Sequence, residues 1–170
     1  MGTQNHQRIF LIGFMGTGKS HWGRVWAERH NMNFYDLDEI IEQTEGQSVV
    51  DIFDNAGEEY FRIKEASILR DQLEHENCII ACGGGTACFN NNMEWMNEHG
   101  FTVYLTAPAS FLLQRIMDEK EKRPLVKNVN EAELLFFVEQ KLKEREPFYR
   151  QAKLVLDASV LDENSLEQIP

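Results

Sequence analysis

The chain has 170 residues, enough for one domain with a real core, and its 42% hydrophobic content with mixed charges describes a globular protein. Its 17 Lys and Arg against 28 Asp and Glu leave a formal net charge of −11. That balance excludes broad binding to nucleic acid or to an anionic membrane surface, yet allows a small anionic substrate that meets only a few local cations.

The N-terminal MGTQNHQRIF lacks the charged-then-apolar pattern of a signal peptide, and no apolar run approaches the roughly 20 residues that span a bilayer. A cytoplasmic protein without a membrane partner is expected. Arg8–Ile12 reads as a strand and Lys19–His30 as a helix. Asn33–Tyr35 reads as a second short strand, ending at Asp36. Helical segments follow at Asp38–Glu45 and Ser48–Glu74. Cys78–Ala81 is a third strand that runs straight into three glycines, Gly83-Gly84-Gly85.

Phe89–His99 reads as a helix, Phe101–Leu105 as a fourth strand, and Pro108–Met117 as a helix opened by a proline. Asp118–Asn130 is charged and carries no apolar face, so it is expected to be a mobile loop. Glu131–Tyr149 returns to helical periodicity, Leu154–Leu156 is a fifth short strand, and a last helix is expected to close the chain. Strands alternating with helices imply an α/β protein: one five-stranded parallel sheet with helices on both faces, in a single domain over 1–170. Cys78, Cys82 and Cys88 fit no zinc ribbon or Cys-x-x-Cys pair and read as reduced thiols in or beside a buried strand. No apolar stripe is left over once sheet and helices are covered, which favours a monomer.

Gly13-Phe14-Met15-Gly16-Thr17-Gly18-Lys19-Ser20 fits G-x-x-x-x-G-K-[ST] at every fixed position, between an apolar strand and a helix. Glycines let backbone N–H groups converge on phosphate oxygens, and the helix N-terminus adds partial positive charge. Lys19 is expected to reach the β- and γ-phosphates, and Ser20 to offer its hydroxyl to Mg²⁺. This pattern is specific for a nucleotide and silent about the second substrate.

The next candidates stand at strand ends, where open parallel sheets hold ligands. In an extended segment Asp36 and Asp38 point the same way; one could assist Mg²⁺ and the other accept a proton, or the pair could simply cap a helix. Arg62 has Glu65 one turn on, which could be an ordinary surface ion pair. Gly83, Gly84 and Gly85 could be a flexible turn, or a backbone brought close to a ligand. Arg123-Pro124-Leu125 lies in the charged loop, and Arg145-Glu146-Pro147-Phe148-Tyr149 closes the long helical segment.

Together these pieces resemble shikimate kinase, a family in the nucleoside-monophosphate-kinase-like branch of the P-loop fold. GFMGTGKS, DLD, GExxFRxxE, GGG, RPL and RxPFY occur in the family's order, from Ile9 to about Asp157. The resemblance implies a three-layer P-loop kinase fold with a lid at about 118–130 and a substrate-binding segment at about 36–65. It implies transfer of the ATP γ-phosphate to the 3-hydroxyl of shikimate. Asp38 would hold shikimate's hydroxyls and serve as candidate base, and Asp36 would serve Mg²⁺. Arg62 and Arg145 would bind the carboxylate, with Glu65 orienting both and Phe61 forming an apolar wall. Gly83, Gly84 and Gly85 would turn N–H groups to the substrate. Gly16, Thr17, Gly18, Lys19, Ser20 and His21 would line the nucleotide. Arg123 would reach the transferring group from the lid, and Arg115 would lie against adenine.

Three places depart from the family pattern. His21-Trp22 replaces a small hydroxylic residue and an aliphatic one, with Trp22 expected to pack on the sheet. The spacing from Arg115 to Arg123 is one residue long, and Thr86-Ala87-Cys88 after the glycines is atypical. A gluconate kinase of the same branch would share the loop and the lid but not the DLD pair together with two arginines. A catalytically idle nucleotide-binding regulatory module would have no use for Lys19, Asp38 and the arginines.

Overall fold

Strand β1, Arg8–Ile12, lies at the centre of the sheet because Ile9 to Ile12 are all apolar and all buried. A computed structural model describes residues 7–169 of the chain. The remaining strands are β2, Asn33–Asp36; β3, Cys78–Ala81; β4, Phe101–Thr106; and β5, Leu154–Asp157. They order as β2-β3-β1-β4-β5, and every pairing is parallel. Registers such as Leu11↔Ala81 and Leu11↔Val103 bring the strands to a common C-terminal edge. Loops leaving that edge must therefore share one crevice.

The helices are α1, Lys19–Arg29; α2, Leu37–Glu45; α3, Val49–Asp71; α4, Asn92–His99; α5, Ala109–Asp118; and α6, Glu131–Tyr149. They cover the sheet with a core that includes Trp26, Ile41, Ile52, Leu69, Leu112 and Val138. Each such side chain contributes roughly 1.5–3 kcal/mol by leaving water. Among the described residues no helix is long and apolar enough to cross a membrane.

Four expectations need correction. The segment after Ser48 is not one straight helix: Gly57, at φ 85° and ψ 168°, breaks α3 and re-aims the turns that carry Phe61, Arg62 and Glu65. Only a residue without Cβ takes that conformation readily. The fourth helix begins at Asn92 rather than Phe89, because Asn90 and Asn91 take left-handed backbone, φ 51° and 53°. After β5 the chain makes turns rather than a helix, with Leu166 buried among them. The segment after α5 does have an apolar side: Val126 is buried, and Leu125 and Val129 pack against the core.

Candidate active site

The loop from Gly13 to Gly18 turns off β1 and delivers α1 end-on to the crevice. Gly18 caps α1 in left-handed backbone, φ 89°, and among the described residues no side-chain cap bonds to the first-turn amides. Those N–H groups, aligned with the helix dipole, form an anion site. Lys19 Nζ donates to the carbonyl oxygens of Gly13, at 2.8 Å, and Phe14, at 2.9 Å. Burial and then the Arg123 guanidinium lower its pKa to about 7. Thr17 is buried and bonds Phe14 O, which stiffens the loop.

A cleft of about 700 Å³ opens over this loop. Gly16, Gly18, Lys19, Ser20 and His21 line it, with Arg115 on the α5 side. Arg115 Nη1 donates to Gly16 O at 3.1 Å, and its guanidinium lies 4.5 Å from the Phe111 ring. Trp22 does not simply pack down on the sheet: it stacks on Trp26, centroids 5.6 Å apart, and lines the same cleft beside His21.

Asp36 uses its two oxygens differently. Its Oδ1 accepts from the amides of Asp38, at 3.1 Å, and Glu39, at 3.3 Å, and so caps α2. Its Oδ2 accepts from Ser20 Oγ at 2.5 Å. Asp36 ends β2, whereas Asp38 belongs to the first turn of α2, so the pair does not share an extended segment as expected. Both carboxylates still face the cleft. Burial, then Glu65 and Asp36, push Asp38 up to about 7.

A second cavity of about 130 Å³ lies behind, lined by Phe61, Arg62, Glu65, Arg145 and the three glycines among others. Glu65 is completely buried, so its pairing with Arg62 is no surface ion pair. Arg62 Nη1 meets Glu65 Oε1 at 2.9 Å, and its Nε and Nη2 meet Glu58 Oε1 at 3.2 Å and 3.1 Å. The Phe89 ring lies 4.3 Å from the same guanidinium. Glu65 thus orients Arg62; Arg145 is set by other means, over the Phe14 ring at 5.6 Å and against Gly84.

The glycines are explained by space rather than by backbone freedom, since none of the three has positive φ. A Cβ at Gly83 would stand 3.0 Å from Asp38 Oδ1, one at Gly84 3.4 Å from Arg145 Nη1, and one at Gly85 2.3 Å from Arg62 Nη2. Each missing side chain admits one functional group. Tyr149 donates its hydroxyl to Gly84 O and holds this turn from α6.

Asp38, Gly83, Gly84 and Arg123 line both cavities, so these residues form the doorway between them. Arg123 is bonded to Glu119 at 2.5 Å, and its buried Nε has no hydrogen-bond partner among the described residues. Sequence reasoning marked Thr86 only as atypical and gave no role to it, Phe89 or Glu119, which hold Glu65, Arg62 and Arg123. Only Glu119 had a local signal, standing one helical turn before Arg123.

The family model described as shikimate kinase matches residues 15–169. A shikimate kinase of Azobacteroides pseudotrichonymphae is 45% identical over 150 residues, covering 88% of each chain. The crystal structure of shikimate kinase from Bacteroides thetaiotaomicron superposes with a TM-score of 0.86 at 40% identity, covering 95% of this chain and 92% of that one. Shikimate kinase from Acinetobacter baumannii in complex with shikimate gives 0.84 at 32% identity, covering 94% and 87%.

Proposed function

The chain belongs to the shikimate kinase family, and from that membership we infer that it transfers the γ-phosphate of ATP to the 3-hydroxyl of shikimate, giving shikimate 3-phosphate and ADP. One observation carries the reading at the level of the site: the two cavities meet at Asp38, Gly83, Gly84 and Arg123. A nucleotide over the glycine loop and a small acceptor beside Arg62 and Arg145 come face to face there.

In this reading the loop amides and the α1 N-terminus hold the phosphates, Lys19 reaches the β- and γ-oxygens, and Arg115 flanks the base. Arg62 and Arg145 take the acceptor carboxylate as planar forks suited to two oxygens. Phe61 closes the apolar side, Glu65 keeps Arg62 aimed, and Gly83 to Gly85 present backbone to the ring. Asp38 orients the attacking hydroxyl and receives its proton; orientation matters more, because the proton leaves late in a loose transition state. Arg123 neutralises charge on the moving phosphoryl group as the 118–130 lid excludes water.

Ser20 and Asp36 suit Mg²⁺: their two hard oxygens adjoin at 2.5 Å beside the phosphate loop and would hold the ion there. Bound there, the ion would supply positive charge that neutralises the phosphate oxygens. The proposal includes a cytoplasmic monomer that binds no nucleic acid. Free Cys78, Cys82 and Cys88 suit a reducing compartment, and the net charge of −11 disfavours nucleic acid.

A coupled ADP-release assay with shikimate, gluconate and nucleoside monophosphates as acceptors tests the assignment. Stimulation by shikimate alone is expected. Stimulation by gluconate or a nucleotide, with none by shikimate, would overturn it; family membership does not favour either rival or an idle module.

A further inference from the structure

We propose that Thr86 is a positioning residue for acceptor binding: its hydroxyl anchors the inner oxygen of Glu65 and thereby aims the Arg62 guanidinium into the acceptor cavity. This rests on the reading of Arg62 as a carboxylate-binding residue. Thr86 directly follows the glycine triplet, in a 3-10 turn over Thr86–Cys88, and is completely buried.

Its Oγ1 donates to Glu65 Oε2 at 2.7 Å, while Arg62 Nη1 donates to Glu65 Oε1 at 2.9 Å. The buried carboxylate is thus pinned at both ends, one oxygen to each partner. A carboxylate held at one oxygen only can swing about its Cγ–Cδ bond, which loosens its hold on Arg62 and leaves Glu58 as the guanidinium's remaining carboxylate partner. Thr86 cannot follow such a motion. Its amide donates to Gly83 O at 3.1 Å, and its carbonyl accepts from Asn92 Nδ2 at 2.8 Å. Asn92 Oδ1 in turn accepts from Arg70 Nη1 at 2.6 Å. The anchor is therefore fixed to the sheet edge and to α4, and Arg70 ties α4 back to α3, the helix that carries Arg62 and Glu65.

The same hydroxyl manages a crowded point. Asp38 Oδ1, Thr86 Oγ1 and Glu65 Oε2 lie 3.0, 3.2 and 3.4 Å from the position of an absent Gly83 Cβ. Two acidic oxygens converge there, and the Thr86 hydroxyl donates to the one from Glu65. Without it Glu65 Oε2 loses a buried partner, and rotation away from Asp38 loosens the hold that aims Arg62.

The test compares Thr86→Val, which keeps the branched shape without the hydroxyl, with Thr86→Ser, which keeps the hydroxyl without the methyl. Thr86→Val is expected to raise KM for shikimate roughly tenfold, with a smaller fall in kcat and an unchanged KM for ATP. Thr86→Ser is expected to restore KM for shikimate to within about twofold of the parent chain. Calorimetric titration of shikimate into each variant gives the binding loss without turnover. An unaltered KM for shikimate in Thr86→Val, equal losses for both substrates, or no rescue by Ser would each overturn the proposal. Failure of the parent chain itself to phosphorylate shikimate would instead overturn the functional reading beneath it.

Discussion

Gly85 and Arg62 compete for one volume: a Cβ on residue 85 would stand 2.3 Å from Arg62 Nη2 and 2.7 Å from its Cζ. The guanidinium has little room to retreat, since Glu58 and Glu65 hold it on two sides and Phe89 lies against its face.

Gly85→Ala is therefore expected to displace the guanidinium, raising KM for shikimate at least about tenfold and costing about 1–3 kcal/mol of stability. Gly84→Ala should be milder, because its nearest neighbours would lie at 3.3 Å and 3.4 Å. Steady-state kinetics with either substrate varied, together with urea unfolding, checks both. Equal effects of the two substitutions would contradict the steric account.

Asp38 gives a signed pH prediction. Its pKa is raised from 3.8 to about 7, so in that window the folded protein keeps a proton that the unfolded chain has released. Asp38 thus makes stability fall as pH rises from about 4 to about 7. In metal-free protein, Asp38→Asn should flatten that part of the Tm-against-pH curve. The same substitution should cut kcat at least about 100-fold while leaving ATP affinity nearly intact. The acid limb of kcat/KM should break near pH 7 in the parent chain. Full turnover by the Asn variant would remove Asp38 from the mechanism.

Lys19 has the opposite sign. Burial lowers it to about 7, so between about pH 7 and 10 the unfolded chain holds the extra proton and stability rises with pH. Phosphate oxygens beside Nζ favour the charged form. Binding of ADP at pH 8 should then take up a proton, up to about one per site. Calorimetry in buffers of different ionisation enthalpy measures the uptake. Its persistence in Lys19→Met would assign the proton elsewhere.

Gly57→Ala isolates backbone strain, since among the described residues no atom beyond its chain neighbours and its own helix backbone lies within 4 Å of its would-be Cβ, and its φ of 85° with ψ 168° is almost closed to other residues. A loss of about 2–3 kcal/mol is expected, against about 1 kcal/mol for Gly46→Ala, whose left-handed φ of 68° and ψ of 20° are less restrictive. Thermal unfolding ranks the two, and the reverse order would mean that Gly57 is not a strained break.

Local chemistry made much of this protein readable from its residues alone. Apolar runs set β1 and β3 at Arg8–Ile12 and Cys78–Ala81, the bounds expected from the sequence. The strand–Gly–helix pattern placed the phosphate loop, because strand, turn and helix onset each depend on neighbours a few residues apart. Partners across the chain obey no such rule. Glu65 looked like half of a surface ion pair until β3 brought Thr86 against it from 21 residues away. Val126 looked like part of a charged loop until the fold buried it. Asp36 looked like either a helix cap or a metal ligand, and only the approach of α1 showed Ser20 on its second oxygen. Burial and hydrogen-bond pairing are properties of the assembled sheet and helices, so the tertiary structure alone decided how these charged residues are held and which partners hold them.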